Sequence, residues 1–401
     1  MALTDFAGHY DNAYEDYFQK VIISKKIANF RFEKDLKYGA TVTRFSYNID
    51  NVRVRTVTRN AASTIDTITD TTEVMTVNIE KEAVFPLSDG EMKQAGPLNP
   101  GEVIGKQVAI KVAVEFDGTV FAEVLNATYA FDTGDLTTLS SNGTPITENS
   151  TTVPQMSSRM PAKLKRYNQT MSNMAFVTDA IGVSNLEQYL MSKNINLAGS
   201  VFANGYTGTM SNGADIYASE NLTGEAVLSL ATQPTNGDTL TINGVVINLV
   251  TTIGSTAGNV LVQTNVDTTR ANIAGLINNP GTTSATQVAL SAADQLTFTD
   301  TLRLVATNSN SDDTLTIVGT GSGALIVSET LTDATDTWTK NFIHAYFGRK
   351  GAIDVVMQDI SEVDIRPCSD RRGNNIFNSY LAAVKTFADG AKKFLNVKLA
   401  R

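Results

Sequence analysis

Between Asn194 and Thr339 the chain carries no lysine, although lysine is frequent on both sides. Within that stretch, Thr223–Trp338 holds two basic residues, Arg270 and Arg303, against ten acidic ones, a balance of −8. The whole 401-residue chain carries −9, so the remainder is near neutral at −1. A Thr-rich, lysine-free block that concentrates the net charge reads as a separate domain, residues 223–338, inserted into a host. With 42% hydrophobic and 18% charged residues the chain is able to bury a core. Its acidic excess opposes a role in wrapping nucleic acid, whose protein footprints are basic. The single cysteine, Cys368, excludes an intrachain disulfide framework and a cysteine zinc site. The two histidines, His9 and His344, are too far apart in sequence to suggest a His-rich metal centre. No run approaches the roughly 18 apolar residues that read as a membrane span. The first residues lack a secretory pattern, so assembly in a cytoplasm is expected.

Inside the block the signals are of β type. Asp238–Ile242 leads through Asn243-Gly244 into Val245–Val250, a hairpin signature. Asp313–Ile317 repeats the pentapeptide of Asp238–Ile242, and the two read as strands of one small sheet. Leu296–Thr299 and Leu302–Val305 are further strand candidates. Asp267 is a candidate cap for a helix with Ile273, Leu276 and Ile277 on one face. The expectation is five to seven strands and one helix.

The host reads in sections. Residues 1–40, rich in aromatic and charged side chains, form an arm that packs on something else. Residues 41–86 form an extended hairpin, with alternating runs at Val52–Val57 and Val74–Ile79 and a polar tip from Arg59 to Thr72. A two-stranded ribbon is marginal alone, so it should lie on a partner. Residues 101–130 read as a long helix, in which Gly118 implies a kink or close packing. Residues 131–157 read as loop, Pro161–Val177 and Ser184–Lys193 as helical. Ala214–Ala218, Ala352–Met357 and Phe394–Leu399 read as strands.

No nucleophile elbow, phosphate loop or His-Glu-x-x-His motif is present, so no catalytic, cofactor or metal residue is assigned and the chain reads as non-enzymatic. His344 reads as structural. Gly319–Gly323 lacks a phosphate-loop lysine and reads as a strand connection. Asp312, Asp313, Asp333 and Asp336 read as solvated acidic surface rather than a calcium site. Cys368 reads as an ordinary free cysteine, although Asp370, Arg371 and Arg372 follow it. Arg53, Arg55 and Arg59 alternate along the first hairpin strand. Asp66, Asp70 and Glu73 lie on the return strand, and together these six are the candidate inter-subunit contacts.

The order of parts resembles the major capsid proteins of tailed bacteriophages with the Hong Kong 97-like fold. Lys37-Tyr-Gly-Ala-Thr-Val42 is similar to the hairpin entry of podovirus-type coat proteins. Asn204–Gly208, Ala214–Leu222 and Phe347–Gln358 are similar to later stretches of the same family. Gly237–Ile247, Gly258–Val262 and Thr269–Asn278 look like a β-rich module that recurs in phage surface proteins. The resemblance implies an α+β fold with N-terminal arm, hairpin loop, spine helix about 101–130, and peripheral and axial domains formed by 87–222 and 339–401. It implies self-assembly into hexamers and pentamers of a virion shell that encloses double-stranded DNA without sequence-specific binding and without a membrane. Assembly would take place in the host bacterial cytoplasm, with decoration, scaffolding and portal proteins as candidate partners. Two other readings remain open here, a β-rich adhesin or tail protein and a bacterial nanocompartment shell protein.

Overall fold

The structure is a computed structural model that describes residues 3–31, 41–48, 52–57, 59, 62, 64–88, 100–192, 206–210, 213–360, 364–368 and 372–401. The hairpin-entry motif from Lys37 to Ala40, Phe32 of the arm, Asn204-Gly205, and Asp370-Arg371 beside Cys368 lie outside the described residues. The chain begins with a helix, Leu3–Val21, whose Tyr10, Tyr14 and Phe18 recur every fourth residue. All three are buried, and their rings stack in sequence at 6.0 and 5.9 Å between centroids. Phe18 meets Phe116 of the long helix Pro100–Ala122 edge-on at 6.3 Å. The described part of the arm therefore packs on its own chain, which corrects the expectation of an external partner. The close approach needs a glycine: a Cβ at Gly105 would stand 2.8 Å from the Tyr10 carbonyl oxygen.

In chain order the described strands are β1 (Thr41–Asn48), β2 (Thr69–Thr76), β3 (Ile79–Leu87), β4 (Tyr129–Phe131), β5 (Met174–Thr178), β6 (Tyr206–Thr209) and β7 (Asp215–Ala218). They continue as β8 (Thr223–Ser229), β9 (Thr239–Ile242), β10 (Val245–Val250), β11 (Asn259–Leu261), β12 (Leu304–Ser309), β13 (Thr314–Gly319) and β14 (Val327–Glu329). The last are β15 (Thr337–Arg349), β16 (Asp354–Ile360), β17 (Asp364–Pro367), β18 (Asn374–Lys385) and β19 (Phe394–Ala400). The architecture is α+β.

β1 and β2 form the expected antiparallel ribbon, in register from Thr41↔Thr76 to Asn48↔Thr69. The second run, Val74–Ile79, is not one strand. β2 ends at Thr76, and β3 departs to pair with β18 in a separate sheet with β16 and β17. Val52–Val57 alternates as a strand would but belongs to no described strand. The long helix ends at Ala122 and passes through a 3-10 turn into β4, shorter than the predicted 101–130. The predicted helix over Pro161–Val177 stops at Arg166. Asn168 and Asn173 then take positive φ of 58° and 56°, the left-handed conformation that ends helices, and the fully buried β5 follows.

The central sheet runs β12-β13-β8-β15-β5-β7-β6, with β19 and β4 joined through β15. β15 is its axis: it pairs with β8 near its start, with β5 at its end and with β19 on its other edge. One apolar core surrounds the long helix and the end of β15 nearest Arg349. A second core is built wholly from residues between Ala226 and Trp338. β9, β10, β11 and β14 form a small sheet over that second core. The two copies of the pentapeptide thus fall in different sheets, β9 in the small one and β13 in the central one. Leu296–Thr299, expected as a strand, is helical. Ser291 Oγ accepts from the Asp294 backbone N–H and starts the turn Ala292–Leu296, and Phe298 is buried just beyond it. The helix Val266–Asn278 is capped by Asn265, whose side chain accepts from the Asp267 N–H, so Asp267 is inside the helix rather than its cap.

Candidate assembly interface

The ribbon is held firmly at its base. Arg44 on β1 donates to Asp389 Oδ2 at 2.6 Å, lies 3.5 Å from Asp354 Oδ2, and stacks over the Phe387 ring. Both oxygens of Glu73 on β2 stand 3.2 Å from the Ala388 N–H that they accept. Lys385 donates to the Val74 carbonyl at 2.6 Å. Met75 is buried with Val356, Ala383 and Phe387 in a small satellite core.

Beyond that base the apolar side chains face solvent. Phe45, Val54, Val57 and Ile65 are 65%, 103%, 85% and 91% exposed. Val52 and Ile68 extend the same exposure. One ion pair organises this outer segment: Arg55 donates from Nη1 and Nη2 to the two oxygens of Asp66 at 2.8 and 2.6 Å. The Arg53 backbone N–H donates to Asp66 Oδ2 at 2.8 Å. These donors hold the Asp66 carboxyl below the ordinary carboxylate range, with the Arg55 hydrogen bond the largest cause.

The six predicted contact residues therefore separate. Arg55 and Asp66 pair within the chain, which removes Asp66 as a carboxylate for a neighbour's arginine. Glu73 is engaged at the base. Asp70 stands opposite Tyr47 in the ribbon register, and Arg53, Arg59 and Asp70 are exposed. Sequence reasoning fixed on the arginines and missed the valines between them. The signal was present: Val52 and Val54 occupy the face that Arg53 and Arg55 do not.

Elsewhere, the sites weighed in the sequence are structural. His344 is buried, its ring nitrogens 2.9 Å from Asn396 Oδ1 and 3.0 Å from Glu225 Oε2. Asp336 is also buried and accepts from the Ala231 and Thr232 backbone N–H groups, while Asp313 pairs with the buried Arg270 at 3.1 Å. Asp336 is therefore not a surface acid, which corrects the reading of it as solvated, whereas Asp313 stays half exposed while it pairs. Cys368 donates to Asn375 Oδ1 at 3.2 Å. Among the described residues, no group of three His, Cys, Asp or Glu is placed to hold a metal, and no helix is long and apolar enough to cross a membrane.

No family model matches the chain, and no curated protein matches it. Among solved structures, it is similar to a chain of Mycobacterium phage Che8, with 13% identity and a TM-score of 0.44 over 93% of this chain and 90% of that one. It is similar to a chain in the capsid structure of the cyanophage P-SCSP1u, with 10% identity and a TM-score of 0.44 over 91% and 85%. A third likeness is to the asymmetric unit of the bacteriophage PhiM1 mature capsid, with 11% identity and a TM-score of 0.42 over 93% and 88%.

Proposed function

We propose that this chain is a major capsid protein that self-assembles, through hexamers and pentamers, into the icosahedral head shell of a tailed bacteriophage and encloses its double-stranded DNA. In this reading it is non-enzymatic, residues 223–338 are an inserted surface domain, and decoration, scaffolding and portal proteins are its further partners. The observation that carries it is the ribbon and the segment beyond it: the ribbon is anchored by buried and ionic contacts at its base, yet Phe45 on β1 and Val54, Val57 and Ile65 between β1 and β2 are in solvent. A lone two-stranded ribbon gains too little to hold such a shape, and exposed apolar patches of this kind mark protein interfaces. A second copy of the chain is the occupant that a closed shell supplies at every subunit, since symmetry repeats the same contact. Arg53, Arg59 and Asp70 are then the polar rim of that contact.

Negative-stain microscopy of the purified protein should show closed shells. Val54→Asp combined with Ile65→Asp, both in solvent in the subunit, should leave soluble subunits with an unchanged thermal midpoint and no shells. Shells of ordinary size from that double variant would remove the ribbon from the assembly.

A further inference from the structure

Away from the β8–β15 pairing, Arg303 fastens the acidic block to the long helix of the body. Its Nη1 pairs with Glu115 Oε1 at 2.6 Å, and its Nε donates to the Thr320 carbonyl at 2.8 Å. Lys81 of β3 reaches the same Glu115 oxygen at 3.3 Å. Two features work against this clasp. Arg303 stands at φ +48°, in the left-handed region that disfavours a residue with a Cβ. The second is Tyr380 on β18, which is buried and whose hydroxyl has no hydrogen-bond partner among the described residues. A buried hydroxyl left unpaired has given up the hydration of the unfolded chain without a replacement.

The acceptor it lacks is close by but engaged elsewhere. Burial is the main cause that pushes the Tyr380 phenol up, and the charges that act on it are Glu115, which adds to the shift, and Arg303, which opposes it. Tyr380 and Glu115 line one cleft of about 260 Å³, together with Lys81, Glu82, Lys111 and Asp300. That cleft gives the Glu115 side chain room to turn. A phenol donating to a carboxylate makes a charge-assisted bond, stronger than one between neutral groups. The clasp thus keeps a charged acceptor away from a buried donor, at a strained backbone position. Packed joints with two competing sets of partners have two discrete arrangements rather than a continuous range.

We propose that the Arg303–Glu115 pair is one of two states of this joint. In the other, Arg303 releases and its backbone relaxes, Glu115 accepts from the Tyr380 hydroxyl, and the block swings away from the long helix while β8 stays paired with β15. This goes beyond the capsid reading and does not depend on it, so the test uses unassembled full-length subunits. Spin labels are placed at Gln107→Cys on the long helix and Leu296→Cys on the block, both exposed, with Cys368→Ser to remove the native thiol. The distance between the labels should show a main population and a longer minor one. Arg303→Gln should make the longer distance the main population. Tyr380→Phe removes only the hydroxyl that gains a partner on opening, so it should lower the longer population by about fivefold, in the native sequence and in the Arg303→Gln background alike. A single distance shared by all these proteins overturns the proposal. So does opening in Arg303→Gln that Tyr380→Phe fails to reverse, since the hydroxyl would then be equally unpaired in both states.

Discussion

A Cβ at Gly118 would stand 2.6 Å from Arg303 Nη2 and 2.9 Å from Gly321 Cα, so the long helix touches the acidic block backbone to backbone. Gly321 sits at φ +69° in the connection Gly319–Gly323, which packs there rather than swinging free. Arg303 fastens the contact by pairing with Glu115 at 2.6 Å. In an open helix, Gly→Ala stabilises by about 1 kcal/mol. Here the sign should reverse: Gly118→Ala should lower the urea midpoint, because a backbone atom cannot yield as a side-chain end can. A higher midpoint would show that the contact relaxes freely. One residue earlier, the buried Asp117 accepts from the Ile23 and Ser24 backbone N–H groups, both at 2.9 Å, and so caps the helix Ser24–Ile27. Burial pushes its carboxyl up to about 6, and these hydrogen bonds only partly oppose the shift. A carboxyl raised in the folded state contributes stability that is present below its unfolded value near 4 and lost as pH rises through about 6. Asp117→Asn removes that dependence. Between pH 7 and pH 4 the native protein should therefore gain on the order of 2–3 kcal/mol relative to the variant, read from denaturant unfolding. Parallel stability curves for the two proteins would contradict the buried, titrating carboxyl. The sequence flagged Gly118 through its cost in a helix, but nothing local marked Asp117, whose partners lie more than ninety residues away.

The same division holds for elements. The Asn243-Gly244 hairpin, the helix after Asn265 and the strand β19 were legible because their turn chemistry or periodicity is contained in a dozen residues. β5 was not: all five of its residues are buried, so it has no alternation, and its apolar run merges with the helical pattern before it. The ribbon was half legible. Alternation announced extended chain, whereas the break between β2 and β3 depends on β18, nearly three hundred residues later. The candidate site was read on one face only: alternation gives two faces, and charge drew attention to the arginines rather than to the exposed valines between them. The N-terminal helix shows the converse, because its aromatic spacing was visible but the surface it covers was not. Its seat on the long helix makes it part of the subunit core, and Phe18→Ala should cost about 3–5 kcal/mol in denaturant unfolding of unassembled protein. If the helix packed only between subunits, that substitution would leave the isolated subunit's stability unchanged and weaken assembly alone.

On the scale of the whole molecule, the acidic block and the body share one sheet, and that sets where the chain can be cut. β8 lies against β15 from Ser229↔Thr337 to Thr223↔His344, and Glu225 on β8 meets the buried His344 ring. Removing residues 231–335 behind a short linker keeps that pair, whose ends are already adjacent, and should leave a soluble body with cooperative thermal unfolding. Removing 223–338 bares the edge of β15 and strips His344 of its carboxylate, and should give an insoluble product. Equal solubility of the two would make β8 dispensable to the body. In the proposed shell, charge argues for which way the block faces. Its −8 set against packaged DNA would meet like charge across the whole inner surface, whereas outward placement leaves those acids in solvent. In the proposed shell, the near-neutral body could then close without strong self-repulsion. An antibody against residues 231–335 should bind intact particles, and limited proteolysis should nick the block while the body stays whole. An epitope reached only after the particles are opened would reverse the orientation.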